Sequence, residues 1–172
     1  MSYPECDQEI SEIRDLHQEM ETKFRDILLY KKSVEISDKD KMFIYSKVVK
    51  SAGKQREENA WKHVNLELYN YYKNAIKSLL EIKKKDIDQT VGRVFLVEVS
   101  KTWQLMKIFS RWNITLFQPI EKYTNAYYST SLPQAAIEIL RDNFVVHYKD
   151  KIKEQLFKEF HKEREHDQVD TA

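Results

Sequence analysis

The sequence predicts an all-α protein, an elongated bundle of five helices. Only two of the 172 residues are glycine and three are proline, too few for the turns of an antiparallel sheet or the glycine-rich crossovers of a parallel one. Apolar residues also recur at steps of three and four along most of the chain, which is the spacing of one helix face. The length fits a single domain, which we place at residues 1–165, before a polar tail at 166–172.

Three helices are predicted in the first half of the chain, at about Glu5–Tyr30, Asp38–Gly53 and Glu57–Lys84. Asp38 is a suitable N-cap residue, Gly53 a suitable terminator, and the lysine run after Ile82 suits the negative end of a helix dipole. The apolar stripes are Ile10, Ile13, Leu16 or His17, Met20, Phe24, Ile27 and Leu28 in the first helix, Met42, Tyr45, Val49 and Ala52 in the second, and Trp61, Val64, Leu68, Tyr69, Tyr72, Ile76, Leu79 and Leu80 in the third.

Two further helices follow. The fourth is expected to begin near Asp86 and to kink or restart at Pro119, with helix again at 120–128. Ser131 then caps a long fifth helix that carries Pro133 in its first turn, where a missing N–H costs nothing. The stripes are Val91, Phe95, Val99, Trp103, Met106, Phe109, Trp112, Leu116 and Phe117 in the fourth, and Ile137, Leu140, Phe144, Val145, Tyr148, Ile152, Leu156 and Phe160 in the fifth.

Composition narrows the classes of function. The formal charge is +1, from 29 basic and 28 acidic residues of mixed order, which is not the clustered positive charge of a nucleic-acid binder. The sequence has one cysteine, Cys6, no apolar run long enough for a membrane span and no signal-peptide core near Met1. We therefore expect a protein of the cytoplasm, the nucleus or both, without nucleic-acid or membrane partners.

Little in the chain indicates catalysis. Glu163 and His166 have the Glu-x-x-His spacing of di-iron bundles, but such sites need a second pair and two more glutamates. His17, His63 and His147 are isolated, and two glycines cannot build a phosphate loop or a nucleophile elbow. We expect no enzyme activity, metal or cofactor, and keep a metal-dependent oxidase as a third hypothesis that iron analysis of the purified protein would test.

The second helix carries more apolar surface than one stripe requires. Met42, Tyr45 and Val49 lie along one face, while Phe43 and Val48 lie off it. A helix this short can hide only part of such a surface within its own domain, so the remainder is a candidate docking surface.

Several motifs, in this order and spacing, resemble the first repeat at the N-terminal end of cullins, the scaffolds of multisubunit ubiquitin ligases. They are KMFIYSKVV in the second helix, LELYNYYKNAIKSLL in the third, KYTNAYY before the fifth, and ILRDNFV and FHKERE within it. The match covers residues 42–165, whereas residues 1–35 agree only in forming a long amphipathic helix.

The resemblance implies a five-helix repeat that binds a BTB-fold adaptor, which brings a substrate receptor such as an F-box protein, in ubiquitin-dependent protein catabolism. A cullin contributes proximity to that process rather than bond chemistry. The implied adaptor-binding residues lie on the second helix and at the start of the fifth: Met42, Tyr45, Val48, Val49, Pro133, Ala136 and Ile137.

The sequence also departs from the cullin pattern. Lys47 stands where F-box-type cullins have histidine, and Val49 where they have an aromatic residue. These differences motivate an alternative, a divergent helical interaction domain that has lost or changed adaptor binding. The sequence given ends at Ala172, where a cullin continues into further repeats and a RING-binding domain. We therefore expect a stand-alone repeat that is monomeric outside its complex and competes with full-length cullins for adaptor.

Overall fold

The computed structural model describes residues 4–30, 38–54 and 56–169, with side chains described for all of these except residues 20, 21, 23–30, 40 and 165–169. Its helices are α1 (Pro4–Tyr30), α2 (Asp38–Gly53), α3 (Glu58–Asp88), α4 (Gly92–Phe117), α5 (Glu121–Tyr128), α6 (Leu132–Leu140) and α7 (Val146–Val169). A 3-10 turn at Gln118–Ile120 joins α4 to α5, and a π turn at Arg141–Val145 joins α6 to α7.

This architecture confirms the predicted all-α bundle, since no strand occurs among the described residues. If α5 is counted as the kinked continuation of α4, and α6 with α7 as one helix, the five predicted segments are present. The last of them continues to Val169, past the boundary at residue 165 that we placed between domain and tail.

Helices α3 and α4 form the centre of the bundle. Against α3 pack α1, α2, α5 and α6, and against α4 pack α2, α6 and α7. The core between them is built from large apolar and aromatic side chains at helical spacing. The stripe predicted for α2 was wrong, because Met42 and Val49 are exposed and Ile44 and Val48 are buried with Ala52 instead. The largest fully buried members are Tyr72, Tyr148, Phe95, Phe109, Phe117, Ile13, Leu68, Ile76, Leu80, Ile87 and Met106.

The junction between α3 and α4 differs from the prediction. Helix α3 does not end at Lys84 but continues to Asp88, because Ile87 extends its buried face. The backbone N–H and the hydroxyl of Thr90 then both donate to the Ile87 carbonyl, at 2.9 and 2.7 Å. Gly92 turns the chain with φ of 59°, a conformation that favours glycine. Helix α4 therefore starts at Gly92 rather than near Asp86, and Val91 is left exposed before it.

The connections on either side of α5 match the sequence analysis. Pro119 lies in the 3-10 turn that restarts the helix, and α5 ends at Ser129, which adopts a left-handed conformation. Ser131 caps α6, its hydroxyl accepting a hydrogen bond of 3.3 Å from the Gln134 N–H. The start of α6 is fixed to the core by the Tyr72 hydroxyl, which donates to the Leu132 carbonyl at 2.8 Å.

The apolar stripe predicted for the last helix is only partly buried. Leu140, Phe144 and Tyr148 lie in the core, and Ile152 packs against it. The other members, Ile137, Val145, Leu156 and Phe160, are exposed. Residues four apart drift by about 40° around a helix of 3.6 residues per turn, so Leu156 and Phe160, two and three steps after Tyr148, turn away from the bundle.

A buried polar contact joins α1 to the centre of the bundle. His17 is fully buried, with its Nδ1 atom 3.0 Å from the Tyr71 hydroxyl and its Nε2 atom 2.6 Å from Asn113 Oδ1. Asn113 in turn donates to the Phe109 carbonyl at 3.1 Å. The prediction placed either Leu16 or His17 on the α1 stripe, and it is His17 that enters the core. The later predicted members Met20, Phe24, Ile27 and Leu28 lie outside the described side chains.

Protonation of His17 is expected to destabilise the fold. Burial lowers its pKa from 6.5 to about 4, although the hydrogen bond to Asn113 acts in the opposite direction. The unfolded chain binds this proton more tightly, so the stabilisation is fully present above pH 6.5 and is lost as the pH falls towards 4. The full loss is about 3 kcal/mol. Urea unfolding between pH 7 and 4.5 measures this loss. The unfolding free energy of wild type should fall steeply as the pH is lowered, and that of His17→Asn should lack this steep fall.

The exposed His147 provides the control for this measurement. His147→Asn makes the same chemical change at an exposed position and should leave the unfolding free energy at pH 7 close to that of wild type. An equal pH slope in wild type and His17→Asn would contradict the assignment of this loss to His17.

Candidate functional site

Helix α2 has a buried side and an exposed side. Ile44, Val48 and Ala52 are buried in the bundle core, three of the positions that recur every four residues. On the opposite side Met42, with 60 % of its surface exposed, and Phe43, with 52 %, face solvent. Exposed large apolar side chains that adjoin one another on a helix mark an interaction surface more often than isolated ones do.

The exposed side continues along the whole helix. Val49 is 41 % exposed, and Lys39, Ser46 and Lys50 share its side of α2 and are also exposed. The Ser46 hydroxyl donates to the Met42 carbonyl at 2.7 Å, so its hydrogen-bonding capacity is partly used within the helix. We call Met42, Phe43 and Val49, with the two flanking lysines, the outer face of α2.

A groove borders this face where α2 meets the C-terminal end of α4. The half-buried Tyr45 and Trp112 line it together with Met42 and Leu116, and its volume is about 360 Å³. The Lys41 ammonium lies 3.9 Å from the centre of the Trp112 ring, a cation–π contact. The same ammonium is 2.7 Å from Asp38 Oδ1, so a cation is held at the mouth of a mainly apolar groove.

Ionic and hydrogen-bonded contacts fix α2 on its neighbours. Lys47 pairs with Glu12 of α1 at 2.9 Å, and Lys54 pairs with Glu9 at 2.8 Å. Lys54 and Arg56 lower the pKa of Glu9 against the opposing effect of burial. At the C-terminal end the Trp61 indole donates to the Ala52 carbonyl at 3.1 Å. The outer face is therefore presented by a helix that is held at its middle and at its C-terminal end, which lowers the entropy lost on binding.

The predicted site residues fall into two groups. Met42, Val49, Pro133 and Ile137 are exposed and Tyr45 is half-buried, so all five present some surface to a partner. Val48 and Ala136 are only 0 % and 2 % exposed. Their side chains serve the core, and we leave them out of the docking surface.

The two halves of the predicted site lie on different helices that do not form a packed pair in the part of the chain the structure describes. Helices α2 and α6 each pack against α3 and α4 instead. A partner that touched both Met42 and Ile137 would therefore have to extend across the bundle surface between them.

Two contributors to this surface were missed by the sequence analysis. Phe43 was noted as lying off the α2 stripe but was not included in the site, although it is among the most exposed aromatic side chains described. Trp112 was assigned to the α4 core stripe, but it lies half-buried in the groove. The signal for Phe43 was an aromatic side chain that lies off the predicted α2 stripe, whereas nothing in the sequence distinguishes Trp112 from a core residue.

Groups that could bind a metal are dispersed. No cluster of three or more histidine, cysteine, aspartate or glutamate side chains occurs in the described regions. His63 pairs with Asp7 at 2.9 Å, His147 packs edge-on against Tyr148, and the side chain of His166 lies outside the described residues. None of the helices, as far as they are described, is long and apolar enough to cross a membrane.

Comparison of the chain with known protein families, with curated proteins and with solved structures finds no match. The likeness to cullins rests on the sequence motifs alone.

Neighbouring valines on α2 should respond differently to truncation. Val48→Ala removes buried methyl groups and leaves a cavity, so we expect a loss of about 2 kcal/mol in unfolding free energy. The same change at the exposed Val49 should stay within about 0.5 kcal/mol of wild type. Chemical denaturation of both variants measures the difference. Equal losses would show that the helix is rotated relative to the orientation described above.

Proposed function

We propose that this protein is a non-catalytic, cullin-repeat-like module that binds a BTB-fold adaptor through the outer face of α2. The observation that supports the proposal most directly is the exposure of Met42, Phe43 and Val49 on a helix that is otherwise packed into the bundle. The motif KMFIYSKVV, one of those that together resemble the cullin repeat, covers Met42, Phe43 and Val49 of this face.

The chemistry of the outer face suits a protein partner. Methionine adapts to irregular apolar surfaces, and an aromatic side chain such as Phe43 supplies much of the contact energy in an interface. The open groove beside Tyr45 and Trp112 offers a place for one apolar side chain of the partner. Lys39 and Lys50 at the two ends of the face favour a partner whose apolar contact surface is flanked by carboxylates.

We propose that the module acts by occupying a binding surface of the adaptor. A module that covers the cullin-binding surface of an adaptor excludes a full-length cullin from the same surface, so the adaptor and its substrate receptor are withheld from the ligase. Its effect on ubiquitin-dependent catabolism then depends on its concentration relative to its dissociation constant. No bond chemistry is required of the module itself.

One contact favours the alternative, a helical interaction domain with a different partner. Lys47, which departs from the family pattern, pairs with Glu12 of α1 at 2.9 Å. The side chain at this position therefore fastens α2 to its own domain, whereas a docking residue would point to a partner. The same outer face would then bind a protein other than a BTB-fold adaptor.

Binding to a purified BTB-fold adaptor of the F-box-type ligases tests the proposal. Met42→Glu with Val49→Glu places two carboxylates on the apolar face and should weaken binding at least tenfold, as measured by calorimetry. Wild-type protein should also displace a full-length cullin from the adaptor in a competition assay.

Val94→Glu is the matched control, because Val94 is equally apolar, 61 % exposed and located at the opposite end of α4 from the groove. It should bind adaptor like wild type. Equal binding by all three proteins would reject the outer face as the site. The alternative would be favoured if wild type bound no BTB-fold adaptor but captured another protein, and if Met42→Glu with Val49→Glu abolished that capture. Pro133→Glu and Ile137→Glu measure whether the start of α6 contributes.

A further inference from the structure

The C-terminal turns of α7 carry a second exposed apolar surface. Phe157 is 64 % exposed, Phe160 is 56 % and Leu156 is 40 %. Helix α7 packs against α4, and its Gln155 Oε1 accepts a hydrogen bond of 2.9 Å from the Gly92 N–H at the start of that helix. Beyond this contact Phe157 faces solvent, and Leu156 and Phe160 border α4 across an open groove.

The groove beside these residues opens in the same direction. It lies between Leu96 and Val97 of α4 and Leu156 and Phe160 of α7, with a volume of about 340 Å³. Its walls are mainly apolar, and Arg93 and Glu163 lie at its edge. An apolar side chain from outside the domain can therefore enter between the two helices.

Charged side chains flank the apolar surface in a particular order. On a helix with 3.6 residues per turn, Lys153 lies on the exposed side one turn before Leu156 and Phe157, and Glu163 lies close to the same side one turn after Phe160. Asp150 and Arg164 flank the apolar surface at a greater distance, and there the negative charge precedes it and the positive charge follows it. All four are exposed, and none pairs with another side chain that the structure describes.

The order of charges along this helix is complementary to the order along a second copy that runs in the opposite direction. Lys153 and Glu163 are equally distant from residue 158, and Asp150 and Arg164 are equally distant from residue 157. An antiparallel copy centred at residue 158 therefore places each lysine opposite a glutamate, with each arginine two residues, or about 3 Å along the axis, from the position opposite an aspartate. A parallel copy would place like charges side by side, which is unfavourable.

We propose that the protein forms an antiparallel homodimer through the C-terminal part of α7, with a twofold axis near Lys158. A twofold axis makes each contact occur twice, so Lys153 of one copy pairs with Glu163 of the other and the reverse. Phe157 and Phe160 of the two copies form the apolar centre between these pairs. This replaces the expectation from sequence that the protein is a monomer.

The area that the dimer would bury determines the affinity we expect between the two copies. Two helices paired over residues 150–164 bury on the order of 500 Å² from each copy, less than the roughly 800 Å² per partner of a standard stable interface. We therefore expect a reversible dimer with a micromolar dissociation constant.

The dimer surface is separate from the outer face of α2. The groove at α2 involves Trp112 and Leu116 of α4, and the groove at α7 involves Leu96 and Val97. About 15 residues of helix separate Val97 from Trp112, or roughly 22 Å along its axis. A dimer would leave both outer faces open, and its formation does not depend on the function proposed above.

Sedimentation equilibrium of the full chain over a concentration series tests the proposal without any partner protein. Wild type should move from the mass of one 20.7 kDa chain to twice that mass. Lys153→Glu and Glu163→Lys, each alone, should weaken the dimer roughly tenfold, because each turns two attractive contacts into two repulsive ones. An equimolar mixture of the two variants should regain wild-type affinity, since each then faces an opposite charge.

Phe157→Ser with Phe160→Ser should leave only monomer, with helicity unchanged by circular dichroism because both side chains lie outside the core. Wild type that remains at 20.7 kDa throughout the series would overturn the proposal, as would assemblies larger than a dimer. Single charge variants that dimerise as well as wild type, or a mixture that gains nothing, would reject the antiparallel arrangement.

Discussion

The packing of α3 against α4 is the interaction on which the rest of the bundle depends. Every other described helix packs against one or both of them, and no other pair could take their place at the centre. With no sheet among the described residues, this pair provides the long apolar surface that a sheet provides in mixed folds. Its side chains include Leu68, Tyr72, Phe109 and Phe117, all nearly inaccessible to solvent.

The position of α2 follows from this central pair. Its inner side is fixed by Ile44, Val48 and Ala52 in the core, and its rotation is further restricted by the ion pairs that Lys47 and Lys54 make with α1. Once three of its positions are committed to the core, Met42, Phe43 and Val49 must face outwards. The orientation of the outer face is thus a consequence of how α2 is attached to the bundle. The apolar character of that face is not explained by packing within this domain.

The sequence predicted the fold class and most helix ends because those depend on local signals. The scarcity of glycine and proline predicts the helical class. The cap at Ser131 and the restart at Pro119 can each be predicted from a few neighbouring residues. The end of α3 was misplaced because the lysine run resembled a C-terminus, whereas the buried Ile87 extended the helix by tertiary packing. Of the residues predicted to bind the adaptor, Met42 and Val49 are exposed. The burial of Val48 and Ala136 depends on how α2 and α6 rotate against α3 and α4, which periodicity alone does not fix.

The π turn at Arg141–Val145 has a consequence for how the chain can change over evolutionary time. Ile139 and Phe144 are five residues apart, yet both are buried, as is Tyr148. In an uninterrupted α-helix Ile139 and Tyr148 would point to opposite sides, and Asp150 and Lys153 would turn towards the bundle instead. The wider turn brings the apolar sides of α6 and α7 into phase. A single-residue insertion or deletion within it would rotate all of α7 by about 100°, so this segment should tolerate length changes poorly.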